Sequence, residues 1–172
     1  MIVGHDKRKI ASRTLSQYER REETAMEVVK IWFKKLNERA RTPKYGTEFS
    51  AGADLSACLD NAVVIEPGET QFISTGLAME IPEGCVGLIY ARSGLACKKG
   101  LAPANKVGVI DSDYRGEIIV ALHNHSNREL IVKDGDRIAQ IVITPYYFGD
   151  FDEAQELENT VRNEGGFGST GY

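Results

Sequence analysis

Residues 108–116 read Gly-Val-Ile-Asp-Ser-Asp-Tyr-Arg-Gly. A short apolar run enters a tight turn that holds two acids and a tyrosine, and a second run leaves it from Glu117 onward. This pattern predicts a β-hairpin. Asp111 in the turn could act as a general base toward water, although acids are also common in turns for their local hydrogen bonds.

Outward from this turn, short apolar or alternating runs recur in both directions. Turn residues such as Pro67-Gly68 and Pro82-Glu83-Gly84 separate many of them. Many short strands at this spacing, with few helical stretches, predict an all-β sandwich or barrel. The predicted strands are a first one from Glu27 with Val29, Ile31 and Phe33 on one face, then Asp54–Leu59, Ala62–Ile65, Thr70–Ser74, Leu77–Ile81, Val86–Ala91, Val107–Ile110, Glu117–His123, Glu129–Val132 and Arg137–Thr144.

The two ends of the chain have a different character. Ser16-Gln17-Tyr18-Glu19 fits a capping box, which predicts a short surface helix over Gln17–Ala25. The last segment is polar and then rich in glycine, as in a flexible arm. We therefore expect an N-terminal extension at 1–26, a β domain at 27–150 and a C-terminal arm at 151–172.

Length and composition limit the class of protein. The 172 residues are 42% hydrophobic and 27% charged, which suits one globular domain with a core. No apolar run approaches the roughly 18 residues that cross a membrane, and the N-terminus lacks a signal-peptide pattern. Cys58, Cys85 and Cys97 form no CxxC pair, which argues against a zinc site or a disulfide framework. We expect a cytoplasmic protein, or one inside a nucleus or host cell, that is not secreted.

Charge is distributed unevenly along the chain. Residues 1–44 carry 12 basic and 6 acidic side chains, whereas residues 45–172 carry 9 and 19. Residues 1–26 hold 6 basic and 4 acidic groups, a balance of only +2, so the basic front predicts no nucleic-acid partner. The acidic body still permits a small anionic ligand that is held by a few local cations.

Two further clusters precede the opening turn. Ala51-Gly52-Ala53-Asp54-Leu55 places an acid at the start of an apolar strand, where it also fits an ordinary turn aspartate. Ala91-Arg92-Ser93-Gly94-Leu95-Ala96 offers a guanidinium, a hydroxyl and an open backbone, which are the groups that bind phosphate. A strand end with a surface arginine remains the alternative for this second cluster.

Two more clusters follow the turn. Gly135-Asp136-Arg137-Ile138-Ala139-Gln140 sets Gln140 in an apolar strand, where it either satisfies a neighbour or lines a site. Residues 162–171 combine Arg162 and Phe167 with glycines and hydroxyls, which could stack on a base and bind phosphates. A disordered tail is the alternative for this last cluster.

Taken in their order along the chain, the five clusters resemble the motifs of the homotrimeric dUTPase (deoxyuridine 5'-triphosphate nucleotidohydrolase) family. Those motifs read roughly AGxDL, RSGLA, GxIDxDYRG, GDRIAQ and RGxGGFGSTG, and the likeness runs from about Glu27 to Tyr172. Asn163 stands where glycine is common, and Ala53 stands where a larger residue is frequent. The resemblance implies a distorted jelly-roll or β-clip sandwich of short antiparallel strands.

The resemblance also implies the reaction, which is hydrolysis of dUTP to dUMP and pyrophosphate. Such an enzyme limits uracil incorporation into DNA and supplies dUMP for thymidylate synthesis. By the resemblance, Asp111 deprotonates the water that attacks the α-phosphorus, and Gln140 helps to position the water and phosphates. Mg²⁺ would be held mainly by substrate phosphates, with Asp54 acting through metal-bound water.

The remaining roles are likewise implied by the family. Three groups would bind the substrate: phosphate ligands, a uracil and sugar pocket, and a lid. The phosphate ligands are Arg92, Ser93 and Gly94. The pocket for uracil and deoxyribose is formed by the backbone of Gly108, Val109, Ile110 and Asp111, the backbone of a paired strand near Ile119, and the side chains of Asn105 and Tyr114. The lid consists of Arg162, Phe167, Gly168 and Ser169.

The family implies a homotrimer with sites shared between subunits. One alternative is a dCTP deaminase of the same fold, although that family lacks the Asp-Tyr-Arg-Gly tyrosine and the glycine-rich tail. A second alternative is a regulatory module that keeps the fold to sense nucleotides or bind a protein. An unknown protein partner would bind through residues 1–26.

Overall fold

The computed structural model describes residues 28–166. The helix predicted over Gln17–Ala25 and the lid residues Phe167, Gly168 and Ser169 lie outside this range. Within it the chain forms twelve strands and one helix. They are β1 (Trp32–Lys35), β2 (Lys44–Tyr45), β3 (Ala53–Ser56), β4 (Val63–Ile65), β5 (Thr70–Ser74), β6 (Leu77–Glu80), β7 (Cys85–Tyr90), α1 (Ser93–Lys99), β8 (Leu101–Pro103), β9 (Gly108–Ile110), β10 (Ile119–Asn124), β11 (Leu130–Val132) and β12 (Arg137–Pro145).

The strands pair antiparallel in four sheets. The largest sheet has the order β2-β3-β12-β7-β9, and a three-stranded sheet has the order β5-β10-β8. β1 pairs with β6, and β11 pairs with β4. The all-β prediction is therefore confirmed. The part of the chain from 28 to 166 contains no helix long and apolar enough to span a membrane.

One apolar cluster lies between the two larger sheets. Leu55 and Ile141 come from the five-stranded sheet, and Ile73 and Leu122 come from the three-stranded sheet; all four are at most 3% exposed. Fully burying such a side chain contributes roughly 1.5–3 kcal/mol. This shared core holds the two sheets together and so fixes the relative positions of their strand ends and loops.

Most predicted strands are confirmed, and β5 matches its predicted range at both ends. The structure adds two strands that the patterns did not indicate. β2 has only two residues, and β8 contains Pro103, which pairs with Leu122 at the edge of its sheet. Proline is tolerated at an edge because it need not donate a ladder hydrogen bond.

The first predicted strand is shorter and more exposed than expected. β1 begins at Trp32, and its four residues are exposed, with Ile31 just before it half-buried. β6, with which β1 pairs, buries three of its four residues, so β6 and not β1 carries the core-facing side chains of this two-stranded sheet. At the other end, residues 146–166 contain neither strand nor helix, and nearly all of them are exposed.

Candidate active site

Three neighbouring strands bring the first, second and fourth motifs together. β12 pairs with β3 on one side and with β7 on the other, so Gln140 lies opposite both Asp54 and Tyr90. Arg92 is the second residue after β7. Because directly opposed residues in antiparallel strands point to the same face, Asp54 and Gln140 share one side of the sheet.

These motifs line an open cavity of about 1020 Å³, here called the arginine pocket. Its wall includes the site residues expected from the first, second and fourth motifs, together with one residue that the sequence did not single out. They are Asp54, Arg92, Ser93, Gly94, Gln140 and Arg137.

Asp54 is the centre of an ion-pair network in the arginine pocket. Its Oδ1 accepts a hydrogen bond from Arg92 Nε at 2.6 Å, and its Oδ2 accepts one from Arg137 Nη1 at 3.0 Å. Asp54 is only 16% exposed at its side chain. Two guanidinium groups share one carboxylate, so the network keeps a positive charge that suits an anionic ligand.

Arg137 is the residue that the sequence reasoning missed. It lies at the start of β12, where the pairing with β3 shifts in register between Arg137 and Ala139. Its side chain is 58% exposed, so it can still reach a ligand in the pocket. The signal was present in the fourth motif, because Arg137 is the one basic residue in an otherwise apolar or amide-bearing strand.

Gln140 both satisfies a neighbour and lines the site. Its Nε2 donates to the Ala91 carbonyl at 2.9 Å, which joins the fourth motif to the second. A Cβ at Gly52 would collide with the Gln140 amide, so the glycine of the first motif makes room for it. The amide carbonyl of Gln140 is therefore held at the mouth of the pocket beside Asp54.

The second motif forms a helix that the sequence patterns did not predict. α1 begins after Arg92 and ends at Gly100, whose φ of 75° is a left-handed cap. The helix has only seven residues and buries none of them fully, although Leu95 packs against the core, so it is too short to show a repeating apolar period. Ser93 and Gly94 form its first turn, where backbone N–H groups lack helical partners. A Cβ at Gly94 would meet no atom within 4 Å, so its backbone is open to the pocket.

The third motif lines a second cavity of about 440 Å³, here called the hairpin pocket. Its wall includes Glu117 and all the residues that were expected to bind uracil and deoxyribose. These expected residues are Asn105, Gly108, Val109, Ile110, Asp111, Tyr114 and Ile119. A Cβ at Gly108 would lie 3.1 Å from Ile89 Cβ and 3.3 Å from Asn105 Nδ2, so only glycine fits comfortably there.

The strand pairing around this cavity differs from the prediction. Residues 108–111 were expected to pair with the strand near Ile119, but β9 pairs with β7 in the five-stranded sheet. β10, which begins at Ile119, pairs with β5 and β8. The segment 111–118 thus carries the chain from one sheet to the other, and both strands still line the same cavity.

Asp111 stands at the end of β9 with an exposed side chain. It lines the hairpin pocket and also a neighbouring cavity of about 600 Å³ with Ser112 and Asp113. Its carbonyl accepts the Tyr114 amide at 3.2 Å, which closes the turn. The carboxylate is thus presented to solvent at the rim of both cavities.

The arginine pocket and the hairpin pocket have no lining residue in common among residues 28–166. Arg92 and Gln140 belong to one, and Asp111 and Tyr114 belong to the other. Arg162 is exposed and lines neither; its Nε donates to the Gly165 carbonyl at 2.7 Å. The described part of one chain therefore does not assemble the predicted site residues around a single cavity.

Two groups outside these cavities have shifted pKa values. Burial raises the pKa of the Cys58 thiol, because the charged thiolate is disfavoured in the core. Partial burial, with the neighbouring His123 and Lys106, lowers the pKa of His125. The His123 and His125 rings lie edge to face with centroids 4.4 Å apart. Neither group lines the arginine pocket or the hairpin pocket.

Comparison with known proteins identifies the family. The family model described as dUTPase matches residues 38–171. The chain belongs to the dUTPase family. The deoxyuridine 5'-triphosphate nucleotidohydrolase of Desulfitobacterium hafniense is 54% identical over 144 residues, which is 83% of this chain and 95% of that dUTPase.

Solved dUTPase structures share the fold. The dUTPase of Staphylococcus bacteriophage 80alpha with dUPNHPP superposes with a TM-score of 0.77 at 29% identity, over 84% of this chain and 100% of that one. A mutant dUTPase from phage phi11 of S. aureus, described with a structural Mg(II) ion, gives 0.69 at 27% identity over 76% of this chain and 100% of that one. The jelly-roll prediction is confirmed by these dUTPase neighbours.

Proposed function

We propose that this chain hydrolyses dUTP to dUMP and pyrophosphate at sites that each combine the arginine pocket of one subunit with the hairpin pocket of another. The observation that carries the proposal is the division of the first four motifs. The groups expected to bind phosphates line one cavity, and those expected to bind the base and sugar line a different one. A second copy of the chain could bring the two halves together around one nucleotide.

The arginine pocket suits the triphosphate. Arg92 and Arg137 would turn from Asp54 toward phosphate oxygens, and the first-turn amides of Ser93 and Gly94 would bind the phosphates further along. Phosphoryl transfer is catalysed mainly by positioning and by stabilising charge, and these groups can do both. Gln140, fixed by the Ala91 carbonyl, would orient the phosphates and the attacking water.

The donor set is compatible with Mg²⁺ that arrives with the nucleotide. No three acidic, histidine or cysteine side chains converge into a metal site anywhere in residues 28–166. Mg²⁺ keeps several waters and prefers substrate phosphates to all-protein cages, so one carboxylate is sufficient. Asp54 would hold it through bound water, and the ion would supply positive charge against the pyrophosphate leaving group.

The hairpin pocket would supply both recognition and the base. Backbone groups of Gly108–Asp111 and Ile119, with the Asn105 amide, would pair with uracil. A narrow pocket would exclude the 5-methyl group of thymine, and mismatched donors and acceptors would reject cytosine. Tyr114 would lie on the deoxyribose and leave no room for a 2′-hydroxyl. Asp111, exposed at the rim, would take the proton from the water that attacks the α-phosphorus.

The C-terminal arm would close the site as a lid from a third subunit. Arg162 would bind the γ-phosphate, Phe167 would cover the uracil, and the Gly168 and Ser169 amides would bind phosphates. Closure would exclude bulk water from the reaction. Removing the residues after Arg162 should leave the oligomer intact and lower kcat strongly. Full kcat in the shortened protein would contradict the lid.

A homotrimer accounts for exposed apolar side chains around the hairpin pocket. Phe72, Val109 and Ile119 line it and are 76%, 60% and 50% exposed in the single chain. Apolar patches of this kind often mark contacts between chains. Light scattering should give three times the 19.0 kDa of one chain. A stable, active monomer would contradict the shared site.

Pyrophosphate release with Mg²⁺ across dUTP, dCTP, dTTP and UTP tests the proposal. We expect dUTP to be turned over much faster than the other three nucleotides, with dUMP as the other product. Ammonia released from dCTP would instead indicate a deaminase. We assign residues 27–150 to the β domain and 151–172 to the arm. A pull-down with and without residues 1–26 tests the role of that extension in binding a protein partner.

A further inference from the structure

The turn between β5 and β6, residues 74–77, holds the segment that follows the third motif. Ser74 Oγ donates to Glu117 Oε1, and the Gly76 amide donates to the same oxygen at 2.7 Å. Thr75 Oγ1 donates to the Ile118 carbonyl at 2.6 Å, and the Ile118 amide donates to the Leu77 carbonyl at 2.8 Å. Four hydrogen bonds thus join two loops that lie far apart in sequence.

The turn itself is fixed in the core. Thr75 is 0% exposed and Ile118 is 1% exposed. Gly76 has a φ of 67°, and a Cβ there would lie 2.9 Å from Ala40 Cβ and 3.0 Å from Cys58 Sγ. A glycine with left-handed φ packed on two sides leaves little freedom to the turn. The Glu117 carboxylate is therefore anchored on a rigid element.

Tyr114 in turn is held by Glu117. Its hydroxyl donates to the Glu117 carbonyl at 3.1 Å, and its ring lies on Gly116, where a Cβ would be 3.0 Å from the ring Cε2. Tyr114 and Glu117 both line the hairpin pocket. The position of the tyrosine ring thus depends on the Glu117 backbone carbonyl, and the Glu117 side chain is in turn hydrogen-bonded to the β5–β6 turn.

We infer that Glu117 is a positioning residue that sets sugar discrimination by fixing Tyr114. The inference rests on the proposed function, in which Tyr114 packs on the deoxyribose. The Glu117 carboxylate would act on the sugar through Tyr114, because it anchors the residue whose carbonyl accepts the tyrosine hydroxyl. Without it, the ring gains freedom, and the space for a 2′-hydroxyl opens.

Binding of dUMP and UMP by calorimetry, together with kcat/KM for dUTP and UTP, tests this role. In Glu117→Ala we expect the deoxyribose-over-ribose preference to fall about tenfold or more in both measurements, since small displacements in a site are costly. Glu117→Gln keeps an amide oxygen for Ser74 and Gly76 and should retain most of the preference. Asp60→Ala, which removes a carboxylate 86% exposed and outside both pockets, should match the wild type.

Several outcomes overturn the inference. One is an unchanged sugar preference in Glu117→Ala. Another is equal weakening toward both sugars, as a general loss of structure would cause. Should Glu117→Ala fail to fold, Ser74→Ala removes only one of the four bonds and must show the same direction of change. If the wild type binds dUMP more tightly than UMP but does not hydrolyse dUTP, the proposed reaction is refuted and the role of Glu117 stands. If the wild type binds neither nucleotide, both proposals are refuted.

Discussion

Asp54 and Arg92 form a short ion pair, with Oδ1 and Nε 2.6 Å apart, between the first and second motifs. Arg137 binds the other oxygen of the same carboxylate. The single negative charge of Asp54 therefore holds two guanidinium groups at the wall of one cavity. In the proposed reaction, incoming phosphates would compete with Asp54 for these cations and release its carboxylate toward metal-bound water.

Asp54→Asn should therefore affect the metal requirement most. The new amide cannot offer a charged oxygen to metal-bound water, and it leaves Arg92 without its counter-charge. We expect kcat/KM for dUTP to fall about 10²-fold, as for loss of one electrostatic group in a site. The Mg²⁺ concentration for half-maximal rate should rise. Unchanged Mg²⁺ dependence would contradict the role of Asp54.

Arg137→Gln should weaken substrate binding. It removes one phosphate-facing cation and leaves the Asp54–Arg92 pair in place, so KM for dUTP should rise about tenfold, or about 1.4 kcal/mol, with a smaller change in kcat. Arg39→Gln is the matched control, because Arg39 pairs with Asp60 outside both pockets. Equal effects of the two substitutions in steady-state kinetics would show that Arg137 has no specific role.

Gly116→Ala should displace Tyr114. The new Cβ would overlap the tyrosine hydroxyl and approach the ring, so the hairpin pocket must change shape. We expect KM for dUTP to rise at least about tenfold, while the cost in stability stays within the roughly 1–3 kcal/mol of a typical overpacking substitution. An unchanged KM for dUTP in Gly116→Ala would contradict the close packing of Tyr114 on Gly116.

The cysteines should react in a fixed order with a thiol reagent. Cys97 is exposed, Cys85 is half-buried and Cys58 is buried. Because burial raises the pKa of Cys58, its thiol stays protonated well above neutral pH, and the reactive thiolate is scarce. At about pH 8, near the ordinary pKa of a thiol, Cys97 should label first and Cys58 only after unfolding. Cys97→Ser should abolish the fast phase, and rapid labelling of Cys58 in the folded protein would contradict its placement in the core.

Sequence patterns located most strands because the strands are separated by turns, and these turns require residues such as glycine that can adopt a positive φ. Gly68 and Gly84 both have a positive φ at predicted turns. Patterns could not locate α1, which buries no side chain, or the pairing of β9 with β7, which depends on the whole sheet. For the same reason Arg137 was missed, since its approach to Asp54 follows from the register of β12 against β3. Chemistry read from motifs thus identified the groups, while only the fold shows which of them share a cavity.

Subunit mixing tests the shared site most directly. Asp111→Asn should bind dUTP but hardly turn it over, and Arg92→Gln should be inactive for lack of a phosphate ligand. If each site takes Arg92 from one subunit and Asp111 from another, an equal mixture refolded together should regain about one quarter of wild-type activity, from random assembly of the trimer. No recovered activity, with mixed trimers verified by mass, would contradict the account.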